Sequence, residues 1–188
     1  MMHQAAVAIG SNLGARQAYL ESAIACLDAT PGVEVIRVSS FHETAPVGGP
    51  PQGAFLNGAL LLETRLDPES LLVRLHDIER EHGRERPDPV RNGPRTLDLD
   101  LLLVDGCQVS SEGLQLPHPR MHERLFVLDP LVEICLIGKN PAIVHRAAVA
   151  LARLLEAAGR GMWNADEDVL RQLREKYADA DDSVEGVA

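Results

Sequence analysis

Aromatic side chains are scarce in this sequence. Three Phe, two Tyr and one Trp make up 3% of 188 residues. The core must therefore be aliphatic, and serial stacking of nucleic-acid bases is excluded. Excess positive charge is also missing. Eighteen Lys and Arg stand against 28 Asp and Glu, for a net charge of −10, so no nucleic-acid partner is expected. No stretch of about 18 apolar residues occurs, so no membrane partner is expected either. Met1-Met2-His3-Gln4 shows no charged segment followed by an apolar one, and a secretory signal is not expected. The three cysteines, Cys26, Cys107 and Cys135, are odd in number and far apart. They match no zinc spacing and suit a reducing cytoplasm. What remains, 45% hydrophobic and 24% charged residues, is an ordinary globular balance at about one-domain length.

The hydrophobic pattern orders the elements. Ala5–Ile9 is a short apolar strand that ends at the turn Gly10-Ser11-Asn12. Leu20, Ala23, Ile24 and Leu27 recur on one helical face. Val33–Phe41 is rich in β-branched residues and reads as a second strand. Thr44–Gly53 holds three Pro and three Gly and is a loop, and Phe55–Thr64 is a third strand. The next helix has Asp67 as N-cap, Pro68 at its first position and Gly83 after its end, with Leu71, Leu72, Leu75 and Ile78 on its apolar face. After the loop Arg84–Arg95 comes a fourth strand, Thr96–Val104. Asp105-Gly106 signals a hairpin, with Cys107–Ser110 returning. Arg124–Ile134 and Ile143–Ala158 read as helices, and the acidic tail from Ala178 as frayed. The order β-α-β-β-α-β predicts an α+β, ferredoxin-like sandwich with an extra β-hairpin and C-terminal helices. Residues 1–160 are expected to form the main domain, and 161–188 a helical extension with a disordered tail.

The chemistry concentrates in Leu97-Asp98-Leu99-Asp100-Leu101. In a strand, residues i and i+2 share a face about 6.5–7 Å apart. Asp98 and Asp100 then point one way and the leucines into the core. Two such carboxylates can hold divalent ions, and Mg²⁺ favours a few carboxylates completed by substrate phosphates. The same alternation also suits an ordinary amphipathic strand with solvated acids. Just before it, Arg84, Arg86, Arg91 and Arg95 lie within twelve residues of an otherwise acidic chain. Arginine suits bidentate phosphate contacts, and a long Pro/Gly loop of this kind resembles a lid. A charged loop balanced by Glu85 and Asp88 is the alternative. Glu79 borders the apolar face of its helix, placed to hold an arginine or a sugar hydroxyl, or as a helix-end carboxylate. His118 and Arg124, six residues apart, could both reach phosphate oxygens, although a lone His is often structural.

Ala8-Ile9-Gly10-Ser11-Asn12-Leu13, Ser39-Ser40-Phe41 through Thr44-Ala45-Pro46, Phe55-Leu56-Asn57, Gly93-Pro94-Arg95-Thr96-Leu97-Asp98-Leu99-Asp100 and Pro117-His118 occur together, in that order. From about residue 5 to about 135 the chain thereby resembles the 6-hydroxymethyl-7,8-dihydropterin pyrophosphokinase family. The resemblance implies that ATP donates its β,γ-pyrophosphoryl group to the hydroxymethyl oxygen of the pterin, releasing AMP. It implies Asp98 and Asp100 as ligands of two Mg²⁺ ions. Arg84, Arg95, Asp98 and Asp100 would be the catalytic set, and ATP would be bound by Glu79, Arg84, Arg86, Arg95, Leu101, His118 and Arg124. The pterin would be bound by Thr44, Ala45, Val47, Asn57 and Asp98, with its ring between Phe55 and Phe126. A cytoplasmic monomer is expected. Asn92 stands where the family often has an aromatic residue, Pro119 where a tyrosine is familiar, and Gly113 where a basic residue often lies.

Overall fold

The computed structural model describes residues 2–85, 90, 92–121 and 124–136. The expected helix at 143–158, the boundary at 160/161 and the acidic tail lie outside these residues. The chain runs through β1 (His3–Ser11), α1 (Arg16–Asp28), β2 (Val33–Val38), β3 (His42–Thr44), β4 (Phe55–Thr64), α2 (Pro68–Glu81), β5 (Asp98–Val104), β6 (Val109–Ser110), β7 (Gln115–Leu116) and α3 (Leu125–Leu136). The main sheet is antiparallel in the order β2-β4-β1-β5, with β3 also paired to β4. Helices α1 and α2 follow the first and the central hairpin strands, which gives the ferredoxin-like α+β arrangement.

Sequence and structure agree closely on α2. The Asp67 carboxylate accepts from the Ser70 backbone N–H at 2.8 Å, and Pro68 occupies the first turn. Leu71, Leu75 and Ile78 are fully buried against the sheet together with Leu20 and Leu27 of α1 and Val7, Ile9, Leu60, Leu62, Leu99 and Leu101 of the strands. Each such leucine contributes about 1.5–3 kcal/mol on burial. The other sheet face carries Ala6, Ala59, Leu61 and Leu102, covered by Met121 and by Val127, Leu131 and Ile134 of α3.

Two expectations need correction. The strand predicted over 33–41 is split. Val38 pairs with Leu60 and His42 with Asn57, so three residues face two across the ladder. The extra residue forms a bulge, stabilised by Ser39, whose Oγ accepts from the Ala59 N–H at 2.9 Å. Phe41 then lies over Gly58, where a Cβ would come 2.8 Å from its ring. The turn at Asp105-Gly106 does form, with Gly106 at φ 72° and the Cys107 N–H donating to Val104 O at 3.0 Å. The returning residues, however, pair with β7 rather than with β5. The Asp105 N–H is instead taken by Gln4 O at 2.8 Å, which ties the turn to β1 and leaves Val109–Ser110 to find another strand.

Candidate active site

Strand pairing builds the floor of the site. Gly10 lies opposite Asn57 on β4 and opposite Asp98 on β5, and Ala8 lies opposite Ala59 and Asp100. Strand periodicity puts all of these on the face that α3 covers lower down. With only Ala8 and Gly10 between them, the larger polar groups of the outer strands rise around a low centre. A Cβ on Gly10 would lie 2.5 Å from Asn57 Oδ1, so glycine is required there to leave the amide in place.

Above this floor is a cavity of about 280 Å³. The cavity brings Thr44, Ala45, Val47, Phe55, Asn57 and Phe126 together. Arg84, Arg95, Asp98, Asp100, His118 and Arg124 line the same cavity. The asparagine is oriented, because its Nδ2 donates to Thr44 Oγ1 at 2.7 Å. The guanidinium of Arg95 lies 5.9 Å from the centre of the Phe55 ring, and that of Arg124 lies 5.7 Å from that of Phe126.

Charge in the site is arranged around the two aspartates. Asp98 Oδ1 accepts from Arg84 Nη1 at 2.5 Å and from Arg95 Nη1 at 3.1 Å. Asp100 Oδ2 is 3.7 Å from Arg124 Nη1. Burial, and then the neighbouring charge of Asp98, raise the Asp100 carboxyl to about 7, against the opposing pull of Arg124. His118 is held below the ordinary histidine value by burial and then by the positive charges of Arg124 and Arg120. It is therefore neutral at pH 7. Its Nδ1 accepts from the Arg120 N–H at 3.2 Å. The proton of the neutral ring then sits on Nε2 and is available to an acceptor in the cavity.

Not every expected residue faces this space. Glu79 is fully buried; its Oε1 accepts from Arg84 Nη1 at 2.5 Å and from the Leu99 N–H at 2.7 Å. Of the three readings open for it, holding an arginine is the one seen in its contacts. The side chain of Leu101 packs in the core. Arg86 lies outside the described residues. Gly10, expected in a turn, instead belongs to β1, and period-two alternation from Ala8 puts it on the site face. Asn92, which stands where the family often has an aromatic residue, also lines the cavity, as does Gln52, which carries no local motif that announces it.

The donor set suits a hard divalent ion. Two carboxylates converge on one face, and burial of Asp100, followed by the charge of Asp98 beside it, raises its carboxyl, both of which a cation between them would offset. Among the described residues no third His, Cys, Asp or Glu joins them. The remaining positions of an octahedron would fall to water and phosphate oxygens, as Mg²⁺ prefers.

Residues 6–136 match the sequence profile of the family described as 7,8-dihydro-6-hydroxymethylpterin-pyrophosphokinase. The chain is 50% identical over 135 residues to the 2-amino-4-hydroxy-6-hydroxymethyldihydropteridine pyrophosphokinase of Bacillus subtilis, covering 72% of this chain and 80% of that protein. It is 44% identical over 133 residues to the protein of the same name from Methylorubrum extorquens, covering 71% and 83%. A folate synthesis bifunctional protein, mitochondrial, from Arabidopsis thaliana is 41% identical over 152 residues, which cover 79% of this chain but 26% of that longer protein. With the ferredoxin-like sheet and the paired aspartates beneath an arginine-lined cavity, these matches show that the chain belongs to the 7,8-dihydro-6-hydroxymethylpterin-pyrophosphokinase family.

Proposed function

We propose that the residues around this cavity carry out the family's reaction, with Asp98 and Asp100 as the metal ligands and the arginines as the triphosphate site. Family membership gives the chemistry: pyrophosphoryl transfer from ATP to 6-hydroxymethyl-7,8-dihydropterin in folate biosynthesis. The bond formed joins the hydroxymethyl oxygen to the β-phosphorus. The bond broken joins that phosphorus to the α,β-bridging oxygen, which leaves with AMP. The observation that carries the residue assignment is the co-location, in one cavity, of two carboxylates, four arginines and a histidine that can donate hydrogen bonds to phosphate, two phenylalanines and an oriented amide.

The pterin is a flat, hydrogen-bonding heterocycle. Phe55 and Phe126, two of only six aromatic residues in the chain, line the cavity for its faces. Asn57 and the 44–47 backbone supply edge hydrogen bonds. Arg84 and Arg95, which neutralise Asp98 in the absence of substrate, meet the triphosphate on its way in, and Arg124 and His118 Nε2–H meet it from the other side. Two Mg²⁺ ions held by Asp98 and Asp100 would neutralise phosphate charge and lower the pKa of the attacking hydroxyl. Glu79 acts at one remove, holding Arg84 in place. The enzyme works as a monomer in the cytoplasm; the odd number and wide spacing of its three cysteines suit that reducing compartment.

Asp98→Asn and Asp100→Asn test the assignment. Each should lower turnover at saturating Mg²⁺ by on the order of a thousandfold, because developing charge loses its counterion. Turnover equal to wild type in either variant would overturn the metal assignment.

A further inference from the structure

Asn12 is buried just past β1 and is not among the residues that line the cavity, yet it is bonded to both loops that do. Its N–H donates to Arg95 O at 3.1 Å, and its Oδ1 accepts from the Arg95 N–H at 2.8 Å. Its Nδ2 donates to Gly53 O at 3.1 Å and to Gln52 Oε1 at 2.8 Å. Gln52 continues the chain, with Nε2 donating to Asn92 O at 2.8 Å and to Gly48 O at 3.5 Å. The loop at 44–53, which carries the proposed pterin contacts, is thereby joined to the segment 92–95, which carries the phosphate-facing Arg95.

The two amides cannot be exchanged for carboxylates. The Arg95 N–H is a fixed donor, so Asn12 must turn its oxygen there. Gly53 O is a fixed acceptor, so the Asn12 nitrogen must face it and Gln52. Gln52 then presents oxygen to Asn12 and nitrogen to Asn92 O, another fixed acceptor. The backbones also meet directly. Gly49 has φ 79°, and a Cβ there would collide with the Asn92 carbonyl. Asn92 itself has φ 54°, a conformation that asparagine tolerates better than most residues.

We propose that Asn12 and Gln52 are positioning residues that latch the two loops, fixing the distance between the pterin contacts and the phosphate contacts. The proposal rests on the functional reading above. Orientation of two reactants is costly to lose: a misplacement of about 1 Å can slow a reaction a hundredfold. The latch therefore acts on turnover rather than on the affinity of either substrate alone.

The test uses Asn12→Asp and Gln52→Glu, each of which replaces a required donor with an acceptor at nearly constant shape. Wild-type protein is first assayed for AMP and pterin diphosphate. Each variant should then show kcat lowered by about tenfold or more, and in Asn12→Asp, which lies outside the cavity lining, the Kd for pterin alone and for Mg-ATP alone should stay within about twofold of wild type. Hydrogen exchange of peptides covering 44–53 and 92–95 should become faster in both variants. Unchanged exchange would overturn the latch whether or not the wild type turns over. Faster exchange with unchanged kcat would overturn the positioning role. A loss of kcat matched by an equal loss of affinity for one substrate would make the residue a direct contact instead, which also overturns the proposal. Absence of AMP from the wild-type assay would strike the functional reading, while the exchange data would still decide the latch.

Discussion

Glu79 receives both Arg84 Nη1 and the Leu99 N–H on a single oxygen, Oε1, at 2.5 and 2.7 Å. A carboxylate at the end of α2 thus fixes an arginine of the following loop and the second residue of β5. The arginine in turn reaches Asp98 at 2.5 Å. One buried acid sets the position of both Arg84, the proposed triphosphate contact, and the acidic strand.

Removing that acid should unsettle both. Breaking a buried pair by deleting one partner costs about 3–5 kcal/mol, so Glu79→Ala should lose about 3 kcal/mol or more in urea unfolding. Glu79→Gln keeps the shape and an acceptor for Leu99, and should be milder in stability while still raising the KM for ATP. Because Glu79 acts through Arg84, the effects on ATP binding should be strongly non-additive in a double-mutant cycle with Arg84→Ala. Additive effects would mean that Glu79 meets the nucleotide by itself.

Gly10→Ala tests the floor of the cavity. The new methyl would press on Asn57 Oδ1 and turn the amide away from its bond to Thr44. The KM for the pterin should rise by roughly tenfold, the value of about 1.4 kcal/mol of lost interaction, with ATP binding unchanged. Equal losses for both substrates would indicate a distorted sheet rather than a displaced asparagine.

Much of this site was legible along the chain. The alternation around Asp98 and Asp100 is local, and so is the capping of α2 by Asp67. Both follow from residues within one strand or one helical turn. The latch is different in kind. Asn12, Gln52 and Arg95 lie 40 and 83 positions from Asn12 to its partners, and single amides at such separations leave no periodic trace. The split of the second strand depends on how Ser39 meets Ala59 across a ladder, and the pairing of β6 depends on where Asp105 finds an acceptor. These outcomes are decided by tertiary contacts, not by propensity.

The histidine gives a pH test. His118 lies below its ordinary value because of burial and then Arg124 and Arg120. A depressed value means that the unfolded chain takes up the proton more readily. The contribution to stability is therefore complete above about 6.5 and is lost as pH falls through the folded value. An NMR titration of the imidazole should give a midpoint below 6.5, and Arg124→Ala should move it upward. Adding Mg-ATP should also raise it, because phosphate oxygens near Nε2 favour the charged ring. A midpoint unmoved by nucleotide would place His118 away from the phosphates.

The identity of the nucleotide product tests the central claim most directly. Wild-type protein is incubated with ATP, 6-hydroxymethyl-7,8-dihydropterin and Mg²⁺, and the nucleotides are separated. The account predicts AMP and pterin diphosphate in equal amounts, formed only when pterin and Mg²⁺ are both present. ADP as the product, or no nucleotide turnover with the pterin, would contradict it.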